Sequence, residues 1–248
     1  RTFVAEVQTV TDVNPHLRRI TIAGGALDSF RPCGPDSFFY LLLPPPGRDE
    51  LTVDETFTWE RFDSMPADDR PVGAYYTVRT WRPDVAELDL LCVTHGDSGP
   101  ASAWVTRALP GQPVALWGPR TSYNPPPGTE RLLLVADETG LPAASVIVEQ
   151  RPPGMPVVLV AEVAERAERQ DVPLDDDVEL IWLHRDGAPA GTTTLLVDTV
   201  RSLEPPAHGT YVWGGAESRT MSAVRRYVRR ELGVARESVS LVAYWRLT

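Results

Sequence analysis

The chain has 248 residues, 42% of them hydrophobic, which suits a globular protein of one large domain or two modest ones. Its formal net charge of −10 argues against wholesale binding of nucleic acid. All 24 basic residues are arginine, so lysine nucleophiles and Schiff bases are excluded, and any anion site must use guanidinium forks or backbone N–H groups.

In chain order, short alternating or β-branched runs recur at residues 2–10, 17–22, 38–43, 75–81, 87–93 and 113–117. Turn residues divide them, among them Gly24-Gly25, Pro44 to Gly47 and Pro110-Gly111. Six short strands at this spacing predict an antiparallel β-barrel over residues 1–124. Residues 47–73 are long, acidic and proline-bearing, and read as an insertion loop with one short helix.

The prolines Pro125 to Pro127 mark a change of rhythm. Continuous apolar runs at 132–136, 157–163, 178–184, 211–213 and 239–245 read as strands buried on both faces, with helical segments between most of them. Over 218–232, Met221, Val224, Tyr227, Val228 and Leu232 recur at helical spacing while Arg225, Arg226, Arg229 and Arg230 take other faces. These arginines read as an ordinary solvated face. Alternating β and α predicts a three-layer α/β domain with a parallel sheet, of the nucleotide-binding type, over residues 129–248.

Cys33 and Cys92 lie in apolar sequence and read as buried small hydrophobes, with no disulfide expected. The four histidines show no metal-ligand spacing, and no metal site is predicted. No apolar run approaches the roughly 18–20 residues that cross a bilayer, so the expectation is a soluble, cytoplasmic protein without stable membrane association.

Two stretches carry chemistry. A-Y-Y-T-V-R at 74–79 offers an aromatic ring, a hydroxyl and a cation in Tyr76, Thr77 and Arg79, with Val78 between. Alone it is an ordinary strand with Tyr76 packed in a core. T-H-G-D-S-G-P-A-S-A-W at 94–104 is a small-residue turn running into a helix start. Gly99 and Pro100 shape the turn, and the N–H groups of Ala101 and Ser102 face an anion as the first turn of a helix does. His95 and Asp97 order that loop or touch a ribose. A plate beside an anion cradle suits a cofactor that is flat at one end and phosphorylated in the middle.

These motifs resemble those of the siderophore-interacting protein family, the FAD-dependent ferric-siderophore reductases of the ferredoxin-reductase-like superfamily. The family pattern R-P-x-x-R-x-Y-T-x-R is matched by Arg70, Pro71, Tyr76, Thr77 and Arg79, with Ala74 where the family has its first flavin-motif arginine. H-G-D-x-G-P-A-S-x-W is intact at 95–104. Further matches are G-P-R at 118–120, D-E-T-G-L-P-A at 137–143, W-L-H-R-D-G-A-P-A-G at 182–191 and Y-W-R at 244–246.

The resemblance implies FAD in the barrel domain, with Tyr76 stacked on the ring and Thr77 hydrogen-bonding near N5. It places Tyr244 and Trp245 as covers of the flavin or its adenine. Asp137, Glu138, Thr139, Gly140 and Glu217 become candidates for NADH or NADPH, although Asp137 and Glu138 read equally as solvated loop acids. A ferric siderophore is the implied substrate, met by Arg79, Arg120 and Arg246, with iron as substrate rather than cofactor. Loss of the arginine at Ala74 is expected to weaken FAD by roughly 1–3 kcal/mol unless Arg79 or Arg120 compensates. Two alternatives stand beside this reading: another FAD-dependent oxidoreductase on the same scaffold, fed by NAD(P)H or ferredoxin, and a flavin-free ferric-siderophore binder.

Overall fold

The computed structural model describes residues 1–94 and 99–247. They form two units, Arg1–Thr121 and Ser122–Thr248. In the first, alternation of apolar side chains builds strands β1 (Thr2–Asn14), β2 (Leu17–Ala23), β3 (Phe38–Leu43), β4 (Val72–Thr77), β5 (Thr80–Arg82), β6 (Glu87–Val93) and β7 (Pro113–Arg120). All pairings are antiparallel, in the order β4-β3-β7-β1-β2-β6-β5.

Seven strands stand where six were expected, because the run at 75–81 is divided. Val78 N–H donates to Ser37 O (2.8 Å), ahead of β3, while Arg79 N–H donates to Asp89 O (2.8 Å) in β6. The chain changes partners at this step, so β4 and β5, the two ends of the sheet, are separated by only two residues. Such a sheet must curl. It is barrel-like without being a closed ladder.

Every second residue points inward. Phe39, Leu41 and Leu43 of β3, Ile20 and Ile22 of β2, and Leu88, Leu90 and Cys92 of β6 meet in one core. Phe30 lies edge-on to Phe3 at 5.3 Å and to Trp81 at 5.2 Å within it. On the outer face Leu42 and Ala115 would be wet, but the insertion covers them. It contains helix α1 (Trp59–Ser64), capped by the Thr58 hydroxyl, and brings Phe57, Trp59 and Phe62 onto Tyr40 and Trp117. Cys92 is buried as expected, whereas Cys33 is exposed, in a turn whose amides at Cys33 and Gly34 donate to Ser37 Oγ. Helix α2 (Pro100–Arg107) packs beside β4 and presents Val105 to the core.

The second unit has five parallel strands: β8 (Arg131–Asp137), β9 (Val157–Val163), β10 (Val178–His184), β11 (Thr210–Glu217) and β12 (Val239–Trp245). Their order is β10-β9-β8-β11-β12. Helix α3 (Leu141–Gln150) packs on one face with Leu134, Leu159 and Trp213. Helices α4 (Leu195–Ser202) and α5 (Ser218–Arg226) cover the other with Val135, Val160 and Val212. This is the expected three-layer α/β arrangement. The helix expected over 218–232 is α-helical only to Arg226 and continues as a wider π turn, Tyr227–Glu231. The strand order reverses between β8 and β11, and ligands of such sheets gather outside the carboxyl ends at that point.

Candidate functional site

Register divides β4 into two faces. Val72, Ala74 and Tyr76 lie opposite Leu43, Leu41 and Phe39, and Tyr76 packs against the barrel core. Burial raises its phenol well above the usual value. Tyr75 points the other way, is 51% exposed, and meets Phe38 and Tyr40 edge-on at 5.6 and 5.0 Å. Of two adjacent tyrosines, Tyr76 therefore shares a face with the position where arginine is replaced by Ala74. Thr77 and Val78 are buried, and Arg79 is half-buried.

The turn from β4 to β6 is held by an ion pair. Arg82 reaches both oxygens of Asp89 at 2.7 and 2.8 Å, and Thr21 Oγ1 donates to the same carboxylate at 2.8 Å. Burial alone would raise the Asp89 carboxyl, but the hydrogen bonds from Arg82 and Thr21 outweigh it and hold the group below its ordinary value.

Helix α2 begins at Pro100 after its N-cap residue Gly99. A Cβ built on Gly99 would meet none of the described residues within 4 Å. The N–H groups of Ala101 and Ser102 belong to that turn. A strand carrying Tyr76 and the neighbouring Thr77, packed beside a helix start, offers a ring, a hydroxyl and the positive end of a helix dipole, and these residues fit FAD. His95 and Asp97, expected to join them, lie outside the described residues. Arg120 is exposed, its guanidinium 4.0 Å from the centre of the Trp117 ring, and Arg246 is exposed on the second unit.

In the second unit, the carboxyl ends of the strands bring together a buried cluster. Asp137 accepts from Thr139 N (2.9 Å), Thr139 Oγ1 (2.5 Å), Gly140 N (3.3 Å), Glu217 N (3.1 Å) and Trp245 Nε1 (2.7 Å). These donors favour the ionised carboxylate. Burial, and then the neighbouring Glu138 charge, nevertheless push it up to about 6. Glu138 is gripped by Arg185 at 2.7 and 2.8 Å, and Arg185 also donates to Glu162 (3.3 Å), which accepts from Thr193 Oγ1 (2.8 Å). Gln170 Nε2 donates to Glu138 O (2.8 Å). Glu217 caps α5, accepting from Arg219 N and Thr220 N, and also takes Leu247 N at 3.3 Å.

Asp137, Glu138 and Glu217 are thus buried groups rather than solvated loop acids, and their hydrogen bonds tie strand ends together. Gly140 has its own reason: a Cβ there would lie 2.0 Å from Gly215 O, so the start of α3 and the end of β11 touch backbone to backbone. Tyr244 stands edge-on to Trp213 at 6.3 Å, and the Trp245 ring overlies Gly191, whose φ of +73° only glycine adopts readily. The arginines after α5's start are largely exposed, while Arg225 donates to Leu241 O and Arg229 to Val234 O. Sequence reasoning missed the roles of Glu162, Gln170 and Arg185. The available signal was that Glu138, Glu162 and Arg185 each fall at or just past the end of an apolar run.

A barrel-like antiparallel unit followed by a five-stranded parallel one is the ferredoxin-reductase-like architecture. It is shared with the ferredoxin reductase of carbazole 1,9a-dioxygenase at TM-score 0.69 and 16% identity, a likeness of fold alone. Family models match in two blocks, the siderophore-interacting FAD-binding domain over residues 6–123 and the siderophore-interacting protein over 129–248. A siderophore utilization protein from T. fusca superposes with TM-score 0.86 at 30% identity, covering 99% of this chain and 93% of that one. The ferric vibriobactin reductase of Vibrio cholerae is 28% identical over 182 residues, 71% of this chain and 65% of that protein. The NADPH-dependent ferric-chelate reductase of Escherichia coli is 27% identical over 246 residues, 96% and 91%. The chain belongs to the siderophore-interacting protein family. No helix among the described residues is long and apolar enough to cross a membrane.

Proposed function

We propose that this chain is a flavin-dependent reductase that passes electrons from NADH or NADPH through FAD to Fe(III) in a ferric siderophore, releasing Fe(II). The observation that carries this reading is the Tyr76-bearing face of β4 beside helix α2, in a chain whose relatives include a ferric vibriobactin reductase and an NADPH-dependent ferric-chelate reductase.

Each residue then has a task. Tyr76 offers its ring to one side of the isoalloxazine, Thr77 donates near N5, and Val78 and Arg79 border the same edge. The amides of Ala101 and Ser102, behind Gly99 and Pro100, face the diphosphate at the positive end of the helix dipole. His95 and Asp97 serve the ribose side of that loop. Tyr244 and Trp245 cover the flavin, and the bond from Trp245 Nε1 to Asp137 fixes the indole plane. Thr139 and Gly140 position the nicotinamide, while Asp137, Glu138 and Glu217 hold the strand ends that carry them. Arg79, Arg120 and Arg246 supply positive charge for the siderophore. Bound FAD supplies the conversion of one hydride into single electrons. Hard oxygen donors hold Fe(II) far less tightly than Fe(III), so reduction frees the metal. Electrons enter from the nicotinamide, with ferredoxin the alternative donor, and the reaction is cytoplasmic.

The test is anaerobic turnover. Protein loaded with excess FAD and given NADPH or NADH should reduce ferric siderophore, read by an Fe(II)-specific chelator. A protein that takes up FAD but leaves ferric siderophore oxidised rejects the reductase and favours another oxidoreductase. Ala74 favours one further reading, a flavin-free binder, for which a colourless protein that still binds ferric siderophore tightly would speak.

A further inference from the structure

Two buried side chains of the second unit have no task in the reading above, Gln170 and Arg185. Gln170 lies just past the short 3-10 turn Arg166–Glu168 that follows β9, and Arg185 is the residue after β10. Arg185 N–H donates to Val163 O at 3.1 Å, which fixes its backbone to the end of β9. Both side chains converge on one residue. Gln170 Nε2 donates to the Glu138 carbonyl at 2.8 Å, and Arg185 grips both oxygens of the Glu138 carboxylate at 2.7 and 2.8 Å. The backbone and the side chain of Glu138 are thus held by separate donors.

Glu138 belongs to the loop that ends β8 and leads to Thr139 and Gly140. On the β11 side this loop cannot yield, because Gly140 already abuts Gly215 O. Asp137 holds the amides of Thr139 and Gly140 from within, and Gln170 and Arg185 close the side of β9 and β10. Stability alone would not select this arrangement. Arg185 Nε and Gln170 Oε1 are buried with no partner among the described residues, and one guanidinium serves two carboxylates, Glu138 and Glu162. An unmatched buried donor or acceptor costs about 1–3 kcal/mol, and well-packed apolar side chains often hold such strands as well or better. What the polar cluster adds is a fixed place for the loop.

We propose that Gln170 and Arg185 are positioning residues for hydride transfer: by holding Glu138 they fix Thr139 and Gly140, and with them the nicotinamide ring, at the distance the transfer needs. The inference rests on the reading of Thr139 and Gly140 as the nicotinamide's seat. The step passes one hydride, a proton with two electrons, so that the nicotinamide is oxidised and the FAD ring reduced. It needs reacting atoms about 3–3.5 Å apart, and a misplacement of about 1 Å can slow such a step about 100-fold.

Anaerobic rapid mixing of the FAD-loaded protein with NADPH, and with NADH, tests this through the bleaching of the flavin. Deuterium exchange of the amides of residues 137–140, in the protein without coenzyme, gives a second readout. In Gln170→Met, which keeps the volume and loses the donor, the amides of Thr139 and Gly140 should exchange faster. The limiting rate of bleaching should fall about 10-fold, while the half-saturating nucleotide concentration, the FAD affinity and the melting temperature stay as in wild type. Deuterium at the transferred position should slow the variant at least as much as it slows wild type. Arg185→Lys keeps the charge but cannot fork onto both oxygens; it should act in the same direction, and it carries the test if Gln170→Met does not fold. A folded variant that bleaches at the wild-type rate overturns the inference and leaves the nicotinamide reading standing. So does one whose rate falls only in step with its FAD affinity or melting temperature. Failure of both variants to fold assigns the pair to stability alone and overturns it too. Wild type that takes up FAD but accepts no hydride from either nucleotide overturns the inference together with the reading beneath it.

Discussion

Asp137 is a carboxylate with every oxygen supplied with donors, and still its proton is held to about pH 6 because burial and Glu138 oppose its charge. The sign of the consequence follows. An acid whose folded value lies above the roughly 3.9 of the unfolded chain binds its proton better when folded. The stabilisation is therefore complete below about pH 4, is lost as pH rises through about 6, and is flat above. Asp137→Asn removes that slope, so the difference in melting temperature between wild type and variant should change across pH 4–6 and be constant beyond, corresponding to on the order of 1–3 kcal/mol. A difference that is constant throughout would show that Asp137 does not titrate there. Ala74 is the second residue with a direct consequence. It shares its face with Tyr76, so Ala74→Arg should tighten FAD about tenfold in a fluorescence titration.

Among the elements, the junction of β11 with α3 is the least tolerant. Gly140→Ala must move a Cβ off Gly215 O, and neither backbone can yield without shifting its strand or helix. We expect a loss of about 1–3 kcal/mol or more in chemical denaturation. Elements were also where the sequence could be read furthest. The runs at 157–163, 178–184 and 239–245 coincide with β9, β10 and β12, and β9, inside the sheet, is buried along nearly its whole length, as a strand covered on both faces requires. The division of 75–81 into β4 and β5 was not legible, since Y-Y-T-V-R-T-W has uniform strand propensity and the break is decided by which distant strand each half pairs with. Tyr76 and the α2 start were legible from motif and turn chemistry. The grip of Arg185 on Glu138 and Glu162 was not, because it joins residues more than twenty positions apart through a parallel sheet that no local pattern describes. Cys33 was misplaced for a related reason: its apolar neighbours are those of a turn, and the Ser37 hydroxyl holds that turn at the surface.

At the scale of the whole molecule, charge dominates. A protein of net charge −10 repels an anionic ferric catecholate at long range, whatever arginines wait at the site. Raising ionic strength from low salt to about 0.15 M shortens that repulsion. The kcat/KM for a tris-catecholate should then rise, while that for an uncharged ferric hydroxamate stays level. A catecholate rate that falls with salt would instead reveal local steering strong enough to overcome the net field.

The curled sheet of the first unit has a consequence for solution behaviour. Its border strands are β5, three residues long, and β4, separated from it by two residues, so a neighbouring molecule finds little open backbone to extend. The parallel sheet is different: β10 and β12 each end it with seven residues and a partner on one side only. If heating or crowding drives these molecules to add strand to strand, the self-association should begin on the second unit.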